Sequence, residues 1–318
     1  MGASMRAIRP VRLALGQADQ ARALALSVPD GRTFTLLTGA YLAVWGALLA
    51  LLWTTDQLAL QILLAILIGN QLHALTILQH DCGHRSAYES ARANLWVGRL
   101  LAWFIVMPFT TFTELHRFHH GFLGDRELDP DEWFYEAGPV HLFLRECLFM
   151  PRFIVLSLTR AQVAPPVRRV IAAELIFNLC THAALAAALL ALGQAKLLLF
   201  GLLLPMLLLG VVFNPLARGF EHFPLSTLAP GDPRRHALQH NTVTVTSRVL
   251  GVLWANINFH VEHHMFPRVP FYRLPALHRL LRGQAYLRTG LPLGSLRPDG
   301  AVPAPPLVHP SPKEGQTP

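Results

Sequence analysis

The chain has 318 residues, 52% of them hydrophobic and only 14% charged, with a mean hydropathy of +0.36. Soluble domains carry about a quarter charged residues, so this composition argues against a soluble globular chain and for a membrane protein. The formal net charge of +8 does not signal nucleic acid: the cations are mostly arginines around apolar stretches, and no DNA- or RNA-binding motif is present.

Met1–Asp30 contains Arg6, Arg9, Arg12 and Arg22 and no apolar run before a cleavage site. It therefore reads as an N-terminal cytoplasmic arm (residues 1–32), either an amphipathic surface helix or loosely ordered, and not as a signal peptide. Phe34–Trp53 is free of formal charge, and Leu58–Leu78 is interrupted mainly by Gln61, Asn70, Gln71 and His73. Both have the length of a membrane-crossing helix. They form a first hairpin around the cation-free turn Thr54-Thr55-Asp56. Leu95–Phe112 is apolar but broken by Arg99 and Pro108, which predicts an interfacial or re-entrant segment. The polar, acidic stretch Asp125–Tyr135 follows, and Pro165-Pro166 marks a break before the second hairpin. Val170–Leu192, with Glu174, Asn178 and His182, and Leu197–Phe213 form a second hairpin around a turn whose one cation is Lys196. Nearly all the arginine thus lies on the other side, which the positive-inside rule assigns to the cytoplasm. From Leu291 proline, glycine and small residues dominate, and 291–318 reads as a disordered tail.

Three histidine clusters punctuate this pattern: His80-Asp-Cys-Gly-His84, His116-Arg-Phe-His119-His120 and His260-Val-Glu-His263-His264. Residues three and four apart share a helix face, so each cluster can aim its rings at one point. Neutral imidazole is the commonest metal ligand. Both hairpins end on the cytoplasmic side, which brings all three clusters to one membrane face. Eight ligands exceed the six positions of one octahedral ion, which predicts two metals. Zinc-protease HExxH and the Glu-x-x-His pairs of soluble di-iron bundles are absent. A haem bundle would place single histidines opposite one another inside the spans. Cys82, Cys147 and Cys180 are too few for a disulfide framework or a four-cysteine cluster, and Cys82 reads as a small packing residue. Asn256 precedes His260 by four residues, which on a continuing helix puts it on the same face. It is a candidate ligand, direct or through water, against a capping or packing role. Asp81, Glu114 and Glu262 adjoin ligands and are candidates for orienting imidazole N–H groups, against simple exposure. His73 and His182 read as polar contacts within the bundle, and His236 and His240 as non-ligands. Pro267 and Pro270 are expected to end the third cluster's helix.

The residues resemble the membrane fatty acid desaturase superfamily. His80–His84 is similar to its first histidine box, and Glu114-Leu-His116-Arg-Phe-His119-His120 to its second. Asn256-Ile-Asn258-Phe-His260-Val-Glu262-His263-His264-Met-Phe-Pro267 is similar to the third, and Val269–Pro275 continues in the family manner. Arg218-Gly-Phe-Glu221-His222 resembles an intervening element that supplies a further histidine ligand. The resemblance spans Phe34 to Arg282, within a domain set at 33–290. It implies an all-α membrane fold of four transmembrane helices with a cytoplasmic cap. In that cap His80, His84, His116, His119, His120, His222, His260, His263 and His264 would hold two irons. It also implies O2-dependent desaturation of a fatty acyl chain. With no haem domain, Gly-rich nucleotide loop or iron–sulfur ligands in the sequence, the implied partner is a ferredoxin or cytochrome b5-type electron donor with its reductase. A carotenoid hydroxylase or ketolase of the same superfamily, and a non-enzymatic membrane metal or haem protein, are the competing readings.

Overall fold

The computed structural model describes residues 17–282, so the distal arm and the 291–318 tail expected from sequence lie outside the described residues. These residues form helices and no β-strand. After a short helix α1 (Gln17–Leu26), four helices are long and apolar enough to cross a membrane. They are α2 (Gly31–Thr54), α3 (Leu58–Gly83), α8 (Pro165–Ala191) and α9 (Leu197–Glu221). The cap is made by α4 (Ala91–Trp103), α5 (Phe109–Phe122), α6 (Pro139–Glu146), α7 (Phe149–Thr159), the six-residue α10 (His260–Met265) and α11 (Leu274–Leu281).

The spans start where sequence chemistry allows. Asp30 caps α2 by accepting from Thr33 N (3.0 Å) and Thr33 Oγ1 (2.6 Å). Pro165 and Pro166, expected to mark a break before the second hairpin, occupy the first turn of α8, where their missing donors leave no helix bond unmade. The most hydrophobic windows of α2 and α8 are only 11% buried and that of α9 17%, whereas α3 is 56% buried. α3 is thus the central post and the others face lipid. It meets α9 closely: a Cβ on Gly69 would lie 3.0 Å from the Phe213 ring and 3.2 Å from Pro205 O. Such small-residue contacts let membrane helices approach each other. Around Pro205, α9 takes two π-helical stretches, Leu197–Leu203 and Leu209–Phe213. These are one of the ways a membrane helix absorbs a proline that donates no hydrogen bond. Opposite the cap, Lys196 Nζ closes both hairpins together through Trp53 O and Thr55 O (2.8 Å each) and Asp56 Oδ1 (3.1 Å).

The spans run further than composition suggested. α3 continues through the first cluster to Gly83, so His80 lies inside the helix and His84 caps its end. α9 likewise continues to Glu221. The expected interfacial segment is two helices, α4 and α5, separated by a turn before Phe109. Phe109, Phe112, His116 and His119 lie on the buried face of α5. Glu174, a charge inside α8, pins this corner by accepting from Arg99 Nε (2.7 Å), Thr110 N (2.8 Å) and Thr110 Oγ1 (2.8 Å). Cys82 packs as expected, buried beside Gly98.

The α3–α9 contact gives a direct test. Gly69→Leu is expected to overpack it and destabilise the protein by about 1–3 kcal/mol, read as a lower denaturation midpoint in detergent. An unchanged midpoint would show that the helices part freely there.

Candidate metal centre

Four helices converge in the cap. α3 delivers His80 and His84, α5 delivers His116, His119 and His120, α9 ends at His222, and α10 carries His260, His263 and His264. Their Nε2 atoms fall into two sets. In the first, His84, His116, His120, His263 and His80 are linked in that order by successive Nε2–Nε2 distances of 3.0 Å. These five ligand atoms all lie within 4.8 Å of one another. In the second, His119 lies 3.2 Å from His222, His222 lies 2.9 Å from His260, and His260 lies 3.1 Å from His264.

These distances test whether metals fit. An Nε2 holds either one proton or one lone pair, so an Nε2 with two such neighbours satisfies at most one of them by hydrogen bonding. His116, His120, His263, His222 and His260 each have two. A cation inside each set satisfies every lone pair together. Two nitrogens bonded at about 2.1 Å and set about 90° apart are themselves about 3.0 Å apart, the spacing between neighbouring octahedral positions. The donor sets therefore fit one ion each. Electrostatics agree. Burial, with help from neighbouring imidazoles, holds His116, His120, His222, His263 and His264 well below the ordinary imidazole range and His84 at about 3. They remain neutral donors. His119 is the exception: burial pulls it down, but Asp129 and Asp131 outweigh that and hold it above its ordinary value.

The reverse sides of the rings explain the exception. His119 Nδ1 lies 3.0 Å from Asp129 Oδ1 and 3.3 Å from Asp131 Oδ2. These carboxylates sit behind the ring while its Nε2 faces the histidines, so they orient the imidazole and raise its basicity. Asp129 is itself fixed by Gly124 N (3.0 Å) and Asp131 N (2.9 Å). Gly124 is required there, because its φ is +83° and a Cβ would lie 2.4 Å from Arg235 O. Asp131 pairs with Arg218, whose Nε lies 3.2 Å from Glu146 Oε2 and whose guanidinium covers the Phe149 ring at 4.1 Å. Burial pushes Glu146 up to about 7 against the pull of Arg218. Removing Arg218 alone would leave buried acids unpaired, a change that costs about 3–5 kcal/mol in buried pairs. His222 Nδ1 donates to Asn241 O (3.1 Å), and Asn241 in turn donates to Arg235 O (2.7 Å).

The nine histidines expected as ligands are thus all brought together, but their expected helpers fare differently. Asp81 Oδ1 lies 3.4 Å from His80 Nδ1, without the alignment of a hydrogen bond, while Asp81 Oδ2 accepts from Phe271 N at 2.7 Å. It ties the segment after the third cluster to the first. Glu262 orients an imidazole, but that of His278 and not a clustered one, and it also accepts from Thr244 Oγ1. Glu114 pairs with the exposed Arg117 at 3.0 Å. Asn256 lacks the helical register expected of it. α10 begins only at His260, and Asn256 sits before it at φ +58°, so the two share no helical face. Its Oδ1 instead packs against Gly251. Sequence reasoning missed Asp129, Asp131, Arg235, Asn241 and His278. It saw Glu221 only as a neighbour of His222, yet Glu221 Oε2 lies 3.5 Å from His260 Nε2, within reach of the second set. The acidic Asp129-Pro-Asp131-Glu132 run after the second cluster was the available signal.

Four apolar spans beneath two converging sets of imidazoles define a histidine-rich integral membrane protein with a candidate double metal site. Comparison with known proteins narrows the class: the fatty acid desaturase family profile matches residues 56–296. The chain belongs to the fatty acid desaturase family. It is 28% identical over 219 residues to the human sphingolipid delta(4)-desaturase/C4-monooxygenase, covering 65% of this chain and 61% of that protein. Shorter matches link it to the sn-1 oleoyl-lipid 12-desaturase of Arthrospira platensis, 38% identical over 61 residues (19% of this chain, 17% of that one). The sn-1 acyl-lipid omega-3 desaturase (ferredoxin) of Synechocystis sp. is 34% identical over 70 residues (22% and 19%).

Asp129→Asn keeps the shape behind His119 and removes the charge. It is expected to weaken metal retention at the second set by about 10–100-fold, measured by chelator competition with elemental analysis. Wild-type retention would detach Asp129 from that set.

Proposed function

We propose that this protein is an O2-dependent acyl-lipid desaturase with two irons, one held by His80, His84, His116, His120 and His263 and the other by His119, His222, His260 and His264. The observation that carries the proposal is the pair of Nε2 sets at about 3.0 Å spacing, in a chain of the fatty acid desaturase family. Bound iron would supply O2 activation and the oxidising power to remove two hydrogens from neighbouring methylenes. The chain's own residues do the rest. Asp129 and Asp131 hold the His119 N–H, and Asn241 O holds that of His222.

Electrons come from a separate ferredoxin or cytochrome b5-type protein with its reductase. The turns opposite the cap carry Lys196 as their one cation, which supports a cytoplasmic cap in an inner membrane. The human relative is named as both a desaturase and a C4-monooxygenase, so hydroxylation of the same chain is the second reading. A carotenoid substrate remains the rival within the superfamily, and a non-enzymatic haem protein the rival outside it.

Expression in a host with a compatible electron donor, followed by mass spectrometry of lipids and pigments, distinguishes these readings. Acyl chains lighter by two hydrogens are expected. An added oxygen favours the hydroxylase, and oxidised pigment without altered acyl chains overturns the lipid reading. His263→Ala is expected to abolish product while leaving membrane insertion intact. Undiminished product from that variant would remove His263 from the ligand set.

A further inference from the structure

A groove of about 770 Å³ lies between α4 and α8, walled by Trp96, Leu100, Trp103 and Phe177 and floored by Met107 and Phe109. Trp96, Leu100 and Phe177 are 57%, 55% and 61% exposed. Phe177 lies on the span α8, where an exposed side chain meets lipid and not water, and Trp96 and Leu100 of α4 line the same groove. The groove follows α8 from Val170 to Thr181. That is about 17 Å of helix, roughly half the ~30 Å hydrocarbon layer, so the groove has the length of one leaflet. Four of its polar groups are engaged with one another. Arg99 and Glu174 are paired, and Trp103 Nε1 donates to Thr181 Oγ1 at 2.8 Å. What faces the membrane is therefore an apolar trough matched to a hydrocarbon chain.

Behind the trough lie two small internal spaces. Met107 lines both the groove and the first of these, of about 10 Å³. The first shares Thr76, Phe112, Phe149 and Asn214 with the second, of about 40 Å³, whose wall includes His80, His116 and His260. The second space thus touches both histidine sets. With Met107 in place these spaces hold a few waters at most, so no chain passes from the groove to the histidines by this route until Met107 moves. Met107 is 1% exposed, and an unbranched thioether re-packs more readily than other core side chains. It is held by an unusual turn. α4 ends with Met107 N on Ala102 O (3.2 Å) and Val106 N on Trp103 O (3.1 Å), and Val106 takes the positive-φ position at φ +55°. Glycine normally fills that position. A β-branched residue there is an outlier of the kind that marks functional turns.

We propose that this groove takes one acyl chain of a bilayer lipid from the side, and that Met107 is the gate between the bilayer and the space beneath the histidines. This rests on the desaturase reading and adds a route and a specificity-determining residue to it. The substrate keeps its head group in the membrane interface and never leaves the bilayer.

The test uses the full chain reconstituted in phosphatidylcholine bilayers containing a diazirine-acyl phosphatidylcholine, with adducts mapped by mass spectrometry after photolysis. Adducts are expected at the groove, near Phe177, and at the inner wall, near Thr76 and Phe112. Met107→Trp is expected to lose the inner adducts and keep those at Phe177, and Met107→Ala to gain inner adducts. Leu100→Trp, on the exposed lip, is expected to lose inner adducts even if Met107→Trp fails to fold. Inner adducts at wild-type levels in Leu100→Trp and in folded Met107→Trp, or inner labelling by a diazirine free fatty acid but not by the phospholipid, would overturn the proposal. Lipid analysis of the same preparations keeps the two ideas apart. Product with unaltered inner labelling in the variants refutes the gate alone, and labelled inner walls without product refute the desaturase reading alone.

Discussion

Buried imidazoles that point their ring nitrogens at one another have no stable arrangement by themselves. Burial keeps them neutral, so each Nε2 offers one proton or one lone pair, and a nitrogen with two such neighbours at about 3.0 Å cannot satisfy both. Only a cation within each set turns that crowding into attraction. The rest of the cap is organised to impose this geometry: α3 runs past the membrane to present His80, α9 does the same up to His222, and α5 and α10 close from the sides. Because metal binding is then folding energy, the cap's order and its cofactor are thermodynamically linked.

A second buried layer holds the first in place. His119, Asp129, Asp131, Arg218 and Glu146 form a continuous chain of charged contacts from α5 through the acidic segment to α9 and α6. Arg235, itself fully buried, pairs with Glu132 and donates to Leu225 O and Leu228 O (2.6 Å each). These charges replace the apolar packing of an ordinary core at the place where a ring must not rotate. Buried ion pairs gain little net stability, so their use here is positional. The Glu262–His278 pair does the same for α10 against α11.

The four spans, their pairing in hairpins and the shared face of the clusters were legible in the sequence, because length, apolarity and charge asymmetry act locally. The clustered histidines were legible for the same reason: three- and four-residue spacing on α3 and α5 decides which rings converge. Asn256 shows where local periodicity stops. Positive φ at Ala255 and Asn256 breaks the helix four residues before His260, and nothing in composition signals it. Pro165 and Pro166 marked the boundary before the second hairpin, and the structure puts both inside the first turn of α8. The layer behind the ligands was hidden because its partners are distant in sequence: Asp131 and Arg218 are 87 residues apart, and Glu146 and Arg218 are 72 apart. Gly124 against Arg235 is a contact that no motif encodes.

The central claim is that two imidazole sets each hold an iron. Elemental analysis combined with absorption spectroscopy on the intact protein, purified from membranes, tests it most directly. The account predicts two irons per chain and no haem band. One metal or none per chain after reconstitution with ferrous iron, or a Soret band with no non-haem iron, would contradict it.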